Sequence, residues 1–288
     1  MLYEDSAAWR AAPAKSVALI GMSGMGKTRI ATLLRDAGSW FHYSVDYRIG
    51  TRYLGERIND DFKREAMKSP VLRDLLRSDS IRIASKLSFH NLTPLSTWLG
   101  KPGDPARGGM AFEEYVARQR LHREAEIASM MDARAFIARA HEVYDYPNFI
   151  CDTSGSFVEV VNPEDQHDPV LAALARAVQI IYIRGSDAHV EALKARFDRA
   201  PKPMYYQEDF LRDAWGRYLA EKGVDEATAD PDDFIRWGFA ALIDHRAPRY
   251  QAVADRWGVT VEADEIAAVE TPEDFDDLIA RALDRRED

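Results

Sequence analysis

Residues 21–28 have the residue types and the spacing of a phosphate-binding loop. The segment reads GMSGMGKT and satisfies the pattern G-x-x-x-x-G-K-[ST]. In this pattern a glycine-rich loop curls around an anion with its backbone N–H groups pointing inward, because side chains at the bends would clash. The lysine reaches the β- and γ-phosphates of a nucleoside triphosphate, and the hydroxyl of the last residue ligates Mg²⁺. The residues expected to bind ATP are Gly21, Met22, Ser23, Gly24, Met25, Gly26, Lys27 and Thr28.

Two of these residues have a second expected role. Lys27 is a candidate catalytic residue because its ammonium can neutralise charge that develops on the transferred phosphate. Thr28 is a candidate ligand of Mg²⁺. The positive end of a helix dipole starting near Lys27 adds to the attraction for phosphate.

Two aspartates follow predicted strands, where an open parallel sheet places its ligands. Asp152 ends the apolar run NFICD, and we expect it to hold Mg²⁺ together with Thr28. The alternative is that Asp152 belongs to an ordinary turn, since DTSGS is turn-like. Asp46 ends the run WFHYSVD and is a candidate catalytic base that accepts the proton of an attacking hydroxyl. Its alternative role is the N-cap of a helix beginning at Tyr47.

Short apolar runs that alternate with helical segments must position these residues. The predicted strands are Val17–Ile20, Trp40–Val45, Asn148–Asp152, Val178–Arg184 and Gly258–Ala263, and Lys27–Ala37 is a predicted helix. Strands this short and apolar, separated by helices, indicate a parallel sheet covered on both faces. The predicted fold class is α/β. It is a P-loop NTPase fold with three α/β/α layers, a five-stranded parallel sheet and helical insertions.

Two long segments interrupt the alternation and divide the chain into three predicted parts. Residues 1–58, 148–198 and 238–288 form the predicted core. Residues 59–147 form a helical insertion, expected to be a subdomain for a substrate or a partner. Its second half predicts one long helix or a broken pair. Residues 199–237 form a lid-like insertion that begins with the basic, turn-prone stretch RAPKPMYYQ.

Several segments together resemble the shikimate kinase family of small-molecule P-loop kinases. LIGMSGMGKT is similar to the family's opening loop, and VDYRIG matches the end of its second strand. IIYIRGSDAHVEALKARFDRAPKP looks like its lid entry, and HRAPRYQAVADRWGVTVEAD resembles its C-terminal motif R-x-P-x-Y-x-x-x-A-D. The resemblance extends over the strand–helix core, roughly half of the chain on the boundaries above.

The resemblance implies roles for three arginines. Arg196 and Arg199 would be lid arginines that pack on adenine or neutralise transferred charge. Arg196 is taken as nucleotide-binding and Arg199 as catalytic. Arg246 would lie near the substrate or nucleotide end of the last helix. The chain departs from the family at Ser44, where an acidic residue is usual, and at DTSGS, where the family has a glycine triplet. These departures imply that the metal-binding role has moved to Asp152, and the resemblance does not imply shikimate as the substrate.

Composition excludes some classes of function. The formal net charge of -10 disfavours a protein whose main role is to coat nucleic acid. The single cysteine allows no disulfide within the chain and suits a reducing compartment. No segment is apolar enough for a membrane span or a secretory signal, so we expect a cytoplasmic protein.

The sequence favours a kinase that transfers the γ-phosphate of Mg-ATP to a hydroxyl of a small-molecule acceptor that it does not identify. The alternative is an ATPase or nucleotide-dependent switch, whose helical insertion contacts a protein partner. A third hypothesis is a kinase for a macromolecule, but the arginines of the insertion alternate with acids, which is typical of a solvated helix surface.

Overall fold

The computed structural model describes residues 2–286. The strands β1 to β5 span, in chain order, Ser16–Ile20, Trp40–Ser44, Asn148–Asp152, Gln179–Arg184 and Gly258–Glu262. The helices α1 to α14 span, in chain order, Ser6–Ala11, Lys27–Asp36, Val45–Arg48, Gly55–Ala66, Pro70–Arg77, Thr93–Leu99, Phe112–Met131, Ala133–Glu142, Pro169–Ala175, Asp187–Arg199, Glu208–Lys222, Pro231–Trp257, Ala263–Ala267 and Pro272–Asp284. A π-helical turn covers Ile49–Tyr53, and 3₁₀ turns cover Pro105–Arg107 and Phe157–Glu159.

The five strands form one parallel sheet in the order β2-β3-β1-β4-β5. Consecutive positions of β1, β3 and β4 are buried, so both faces of the sheet are covered. This arrangement confirms the predicted three-layer α/β fold of the P-loop NTPase type. β1 lies at the centre with β3 on one side and β4 on the other, so the ends of these three strands meet at one edge.

The predicted C-terminal ends of two strands differ from the observed ones by one residue each. β2 ends at Ser44 because Val45 already begins α3, and β5 ends at Glu262 because Ala263 begins α13. The second half of the first insertion is a broken pair of helices, α7 and α8, which are interrupted at Asp132.

The chain forms two compact units. The first comprises the chain up to Val45, Glu126–Pro201 and the chain from Arg236 onward, and it contains the whole sheet. Its core is made by the strand side chains together with the apolar faces of the helices that contact the strands, including α2, α8, α9 and α14.

The second unit comprises Asp46–Ala125 and Lys202–Ile235 and is helical. Its core is aromatic: Phe112 stacks on Trp215, and Trp215 and Tyr218 both pack against Phe234. Tyr115 is fully buried and donates its hydroxyl to the carbonyl of Met204, which fixes the segment before α11. Among the described residues, we find no helix with the length and apolar character that a membrane span requires.

Candidate active site

The sequence predicts that the loop between β1 and α2 cradles a phosphate, and three of its glycines have left-handed backbone. Gly21, Gly24 and Gly26 have φ values of 141°, 91° and 97°. A Cβ atom on Gly21 would lie 2.8 Å from the carbonyl oxygen of Ile183 in β4, so this position requires glycine on steric as well as conformational grounds. α2 begins directly after the loop, at Lys27, and directs its free N–H groups and its positive dipole end toward the loop.

Lys27 lies inside the cradle. Its side chain is buried, and Nζ donates to the carbonyl oxygens of Gly21 at 2.6 Å and Met22 at 3.1 Å. The ammonium group therefore lies across the start of the loop, where the backbone curls. A buried ammonium group beside a glycine-rich loop can contribute positive charge toward a bound anion.

The two predicted metal ligands meet at the ends of β1 and β3. The Thr28 hydroxyl donates to Oδ2 of Asp152 at 2.7 Å. Asp152 is buried as the last residue of β3, in register with Leu19 of β1, which precedes the loop by two residues. His42 lies on the neighbouring β2 with Nε2 3.7 Å from the same carboxylate oxygen. A hydroxyl and a carboxylate next to a phosphate loop are the oxygen ligands that Mg²⁺ prefers.

The two lid arginines differ in position. The guanidinium of Arg196, on α10, lies against the phosphate loop, where a Cβ atom on Gly24 would come within 2.3 Å of Nη2. The pattern G-x-x-x-x-G-K-[ST] does not require glycine at position 24. The φ of 91° favours glycine there, whereas the end of the flexible Arg196 side chain could move aside for a Cβ atom. Arg199 is exposed at the end of the same helix and donates Nε to the carbonyl of Ala195 at 3.2 Å.

Asp46 is the second residue of the short helix α3 and opens the second compact unit. Its alternative role as the N-cap of a helix beginning at Tyr47 is wrong, because the helix already begins at Val45 and Asp46 lies within its first turn. Its role as a catalytic base stays a prediction.

The loop that follows Asp152 is held by groups that the sequence analysis did not identify. Ser154 and Ser156 both donate their hydroxyls to the carboxylate of Glu126, a fully buried residue on α7. Gly155 touches the phosphate loop, since a Cβ atom there would lie 3.1 Å from the backbone nitrogen of Ser23. Arg246 donates to the carbonyl of Gly155 at 2.7 Å.

Arg246 is itself part of a buried ion pair. Its Nε lies 2.9 Å from Oε1 of Glu159, and both residues are almost fully buried. Burial alone would raise the pKa of Glu159, but the charge of Arg246 and hydrogen bonds from Arg246 and His245 lower it to about 2. The carboxylate is therefore charged at neutral pH and neutralises the guanidinium. The sequence expectation that Arg246 lies near a substrate or nucleotide did not include this ion pair.

The sequence contains one signal that points to Glu126. Gln119, His122, Glu126 and Ser129 recur at spacings of three and four residues, so they share one face of α7, and each is buried. A stripe of polar side chains on the buried face of a helix indicates that these side chains make hydrogen bonds, because buried polar groups need partners. The sequence does not say which partner each of these residues contacts.

The chain is similar to the crystal structure of shikimate kinase from Bacteroides thetaiotaomicron, with 14% sequence identity, coverage of 95% of this chain and 98% of that chain, and a TM-score of 0.38. No protein-family model matches the chain. No curated protein matches it either.

Proposed function

We propose that this chain is an ATP-dependent phosphotransferase that moves the γ-phosphate of Mg-ATP to a hydroxyl of a small-molecule acceptor. The observation that carries the proposal is the hydrogen bond of 2.7 Å between Thr28, which directly follows the buried Lys27 in the sequence, and Asp152. It joins the end of a phosphate loop to a carboxylate on the neighbouring strand. Phosphoryl transfer needs these two features together.

The residues present suit a bound nucleotide. The left-handed loop supplies backbone N–H donors, α2 supplies its N-terminus, and Lys27 supplies a positive charge. Thr28 and Asp152 would hold Mg²⁺, whose remaining ligands would be phosphate oxygens and water. Bound there, the ion would neutralise charge on the transferred phosphoryl group.

In the proposed reaction, the oxygen of the acceptor hydroxyl forms a bond to the γ-phosphorus, and the bond from that phosphorus to the β,γ-bridging oxygen breaks. ADP leaves with the electron pair of the broken bond. The acceptor proton passes to a carboxylate, for which we propose Asp46. Lys27 stabilises the charge on the phosphoryl oxygens throughout.

The two lid arginines have unequal support for roles in this reaction. Arg196 lies against Gly24 of the phosphate loop, so its planar guanidinium is close to where phosphates would bind. Arg199 is the second candidate. It needs a change of side-chain rotamer, because its Nε now bonds to Ala195 of its own helix. We propose Arg196 for nucleotide binding and Arg199 for stabilisation of the transferred charge. The segment 199–237 is proposed as a lid and 59–147 as the subdomain that contacts the acceptor or a partner.

The test is phosphate transfer from γ-labelled ATP by the purified chain, with Mg²⁺ and a mixture of metabolites as acceptors. Lys27→Ala is the loss-of-function variant, and Lys68→Ala is its matched control, because Lys68 is an exposed lysine paired with Glu65. We expect a labelled product with the wild type and with Lys68→Ala. We expect a loss of about 10²- to 10³-fold with Lys27→Ala, as for removal of one group that stabilises developing charge.

Other results would point elsewhere. Release of labelled phosphate without a labelled product, abolished by Lys27→Ala, would replace the kinase with an ATPase. Binding of ATP without turnover would favour a switch that needs a protein partner. Absence of nucleotide binding would refute the proposal altogether.

A further inference from the structure

A buried carboxylate supports the loop that leads away from Asp152. Glu126 is fully buried on α7, and it accepts the hydroxyls of both Ser154 and Ser156, the latter at 2.8 Å. Ser154 also accepts the backbone N–H of Ser156 at 3.3 Å. The two serines, on either side of Gly155, are thereby fastened to one side chain.

Burial of the Glu126 carboxylate costs free energy unless the two serine hydroxyls remain in place. A carboxylate removed from water needs strong donors, and hydroxyls that donate to a charged oxygen make stronger hydrogen bonds than neutral pairs do. Both carboxylate oxygens of Glu126 receive such a donor. Glu126 therefore opposes any movement of the loop that would pull either hydroxyl away.

The loop is short and is held at its other points as well. Thr153, directly after Asp152, donates its hydroxyl to the carbonyl of Leu19 at 2.7 Å. The carbonyl of Gly155 accepts from Arg246 and from Tyr250, and Gly155 lies against Ser23 of the phosphate loop. With so few residues between these points, a displacement of the serines is transmitted to Asp152 on one side and to the phosphate loop on the other.

We propose that Glu126 is a positioning residue that, through Ser154 and Ser156, holds the Asp152 carboxylate in the geometry that binds Mg²⁺ with the nucleotide. The inference rests on the proposed function. It assigns Glu126 no contact with the nucleotide or with the ion. Its effect is on the free energy by which Mg²⁺ and ATP strengthen each other's binding.

The test measures this coupling as a ratio of affinities. Calorimetry gives the Kd of ATP for the full chain in excess chelator and in saturating Mg²⁺, and the ratio of the two is the coupling. The variants are Glu126→Ala, Glu126→Gln, and Ser154→Ala combined with Ser156→Ala. Ser129→Ala is the matched control. Ser129 is equally buried on α7, and its hydroxyl has no hydrogen-bond partner among the described residues.

We expect Glu126→Ala to lower the coupling by about 10- to 100-fold, the usual cost of removing a group that holds a metal ligand. Glu126→Gln keeps one carbonyl oxygen for the two serine donors, so its loss should be smaller. The double serine variant should match Glu126→Ala. Adding Glu126→Ala to it should change the coupling no further, since residues that act as one unit are not additive. The metal-free Kd of these variants and the coupling of Ser129→Ala should stay within about twofold of wild type.

A purely structural role would lower the melting temperature or the metal-free affinity and leave the ratio unchanged. Unchanged coupling in both Glu126→Gln and the double serine variant would therefore overturn the inference, even if Glu126→Ala does not fold. A wild type that binds ATP without any effect of Mg²⁺ would also overturn it. The ratio is a binding measurement and needs no turnover. A wild type that transfers no phosphate would therefore refute the proposed reaction, and the ratio would still test the role of Glu126. A wild type that binds no ATP refutes both.

Discussion

Substitution of the buried Glu159 should lower stability in a way that depends on pH. Its carboxylate pairs with Arg246 at 2.9 Å, and its pKa is lowered from 4.5 to about 2. Each pKa unit corresponds to about 1.36 kcal/mol. This difference in pKa between the folded and unfolded chain corresponds to about 3 kcal/mol of unfolding free energy at pH 7. Loss of one partner of a buried ion pair costs about 3–5 kcal/mol, which gives the same scale for Glu159→Gln.

The sign follows from the direction of the pKa. Because the folded pKa of Glu159 lies below the unfolded value, the contribution is fully present above pH 4.5 and is lost as the pH falls toward 2. At pH 5 the contribution is still about 3 kcal/mol, and at pH 3 it is about 1 kcal/mol. The gap in unfolding free energy between wild type and Glu159→Gln should therefore shrink by about 2 kcal/mol between pH 5 and pH 3.

Urea unfolding followed by tryptophan fluorescence measures the gap, since the chain has six tryptophans. Glu208→Gln is the matched control. Glu208 also has a pKa of about 2, set mainly by a hydrogen bond from Arg120, but Arg120 is 58% exposed. Screening by water should limit the control's loss to about 1 kcal/mol or less. Equal, small losses for the two variants, or a Glu159→Gln gap that stays constant with pH, would refute the reasoning.

Three further outcomes follow from the site. Gly24→Ala should weaken ATP binding at least about fivefold in a titration, because a left-handed φ costs alanine about 1 kcal/mol and its Cβ would meet Arg196. When it is combined with Arg196→Ala, the loss of ATP affinity should be less than the sum of the two single losses. Strictly additive losses would contradict the contact between the two residues. In steady-state kinetics, Arg196→Ala should reduce kcat/KM for ATP more than Arg199→Ala does. The reverse order would show that the Arg199 side chain gives up its hydrogen bond within the helix to reach the phosphates. Cys151, whose pKa is raised by burial and by the adjacent Asp152, should resist iodoacetamide until the chain unfolds; mass spectrometry would detect any labelling of the native protein.

The sheet could be predicted because its determinants are local. Each strand contains a short run rich in apolar, aromatic or β-branched residues, and β4 is the most apolar of them. Both faces of this sheet are buried, so the runs show no alternation to be misread. The phosphate loop could be predicted for a similar reason, because its glycines serve a backbone shape that eight consecutive residues define. The Thr28–Asp152 pair followed from one further rule, that parallel strands end at the same edge of the sheet.

The support of the loop after Asp152 could not be predicted, because its determinants are distant in sequence. Glu126 contacts serines 28 and 30 residues away, and Arg246 contacts Glu159 across 87 residues. Spacing along one helix shows which residues share a face, but it does not say what faces them. Charged residues on a helix are more often solvated than buried, so neither glutamate is distinguished by its type.

The C-terminal motif that resembles a kinase family has a structural explanation in this chain. Arg246 and Tyr250 are four residues apart on α12, so they share one face, and both donate to the carbonyl of Gly155, at 2.7 Å and 3.1 Å. Pro248 lies between them in the helix. Since Glu159 neutralises the guanidinium of Arg246 and burial keeps it from solvent, this arginine is better suited to hold the loop than to bind an anionic ligand. The motif and Glu126 therefore contact the same loop, which directly follows Asp152, from different helices.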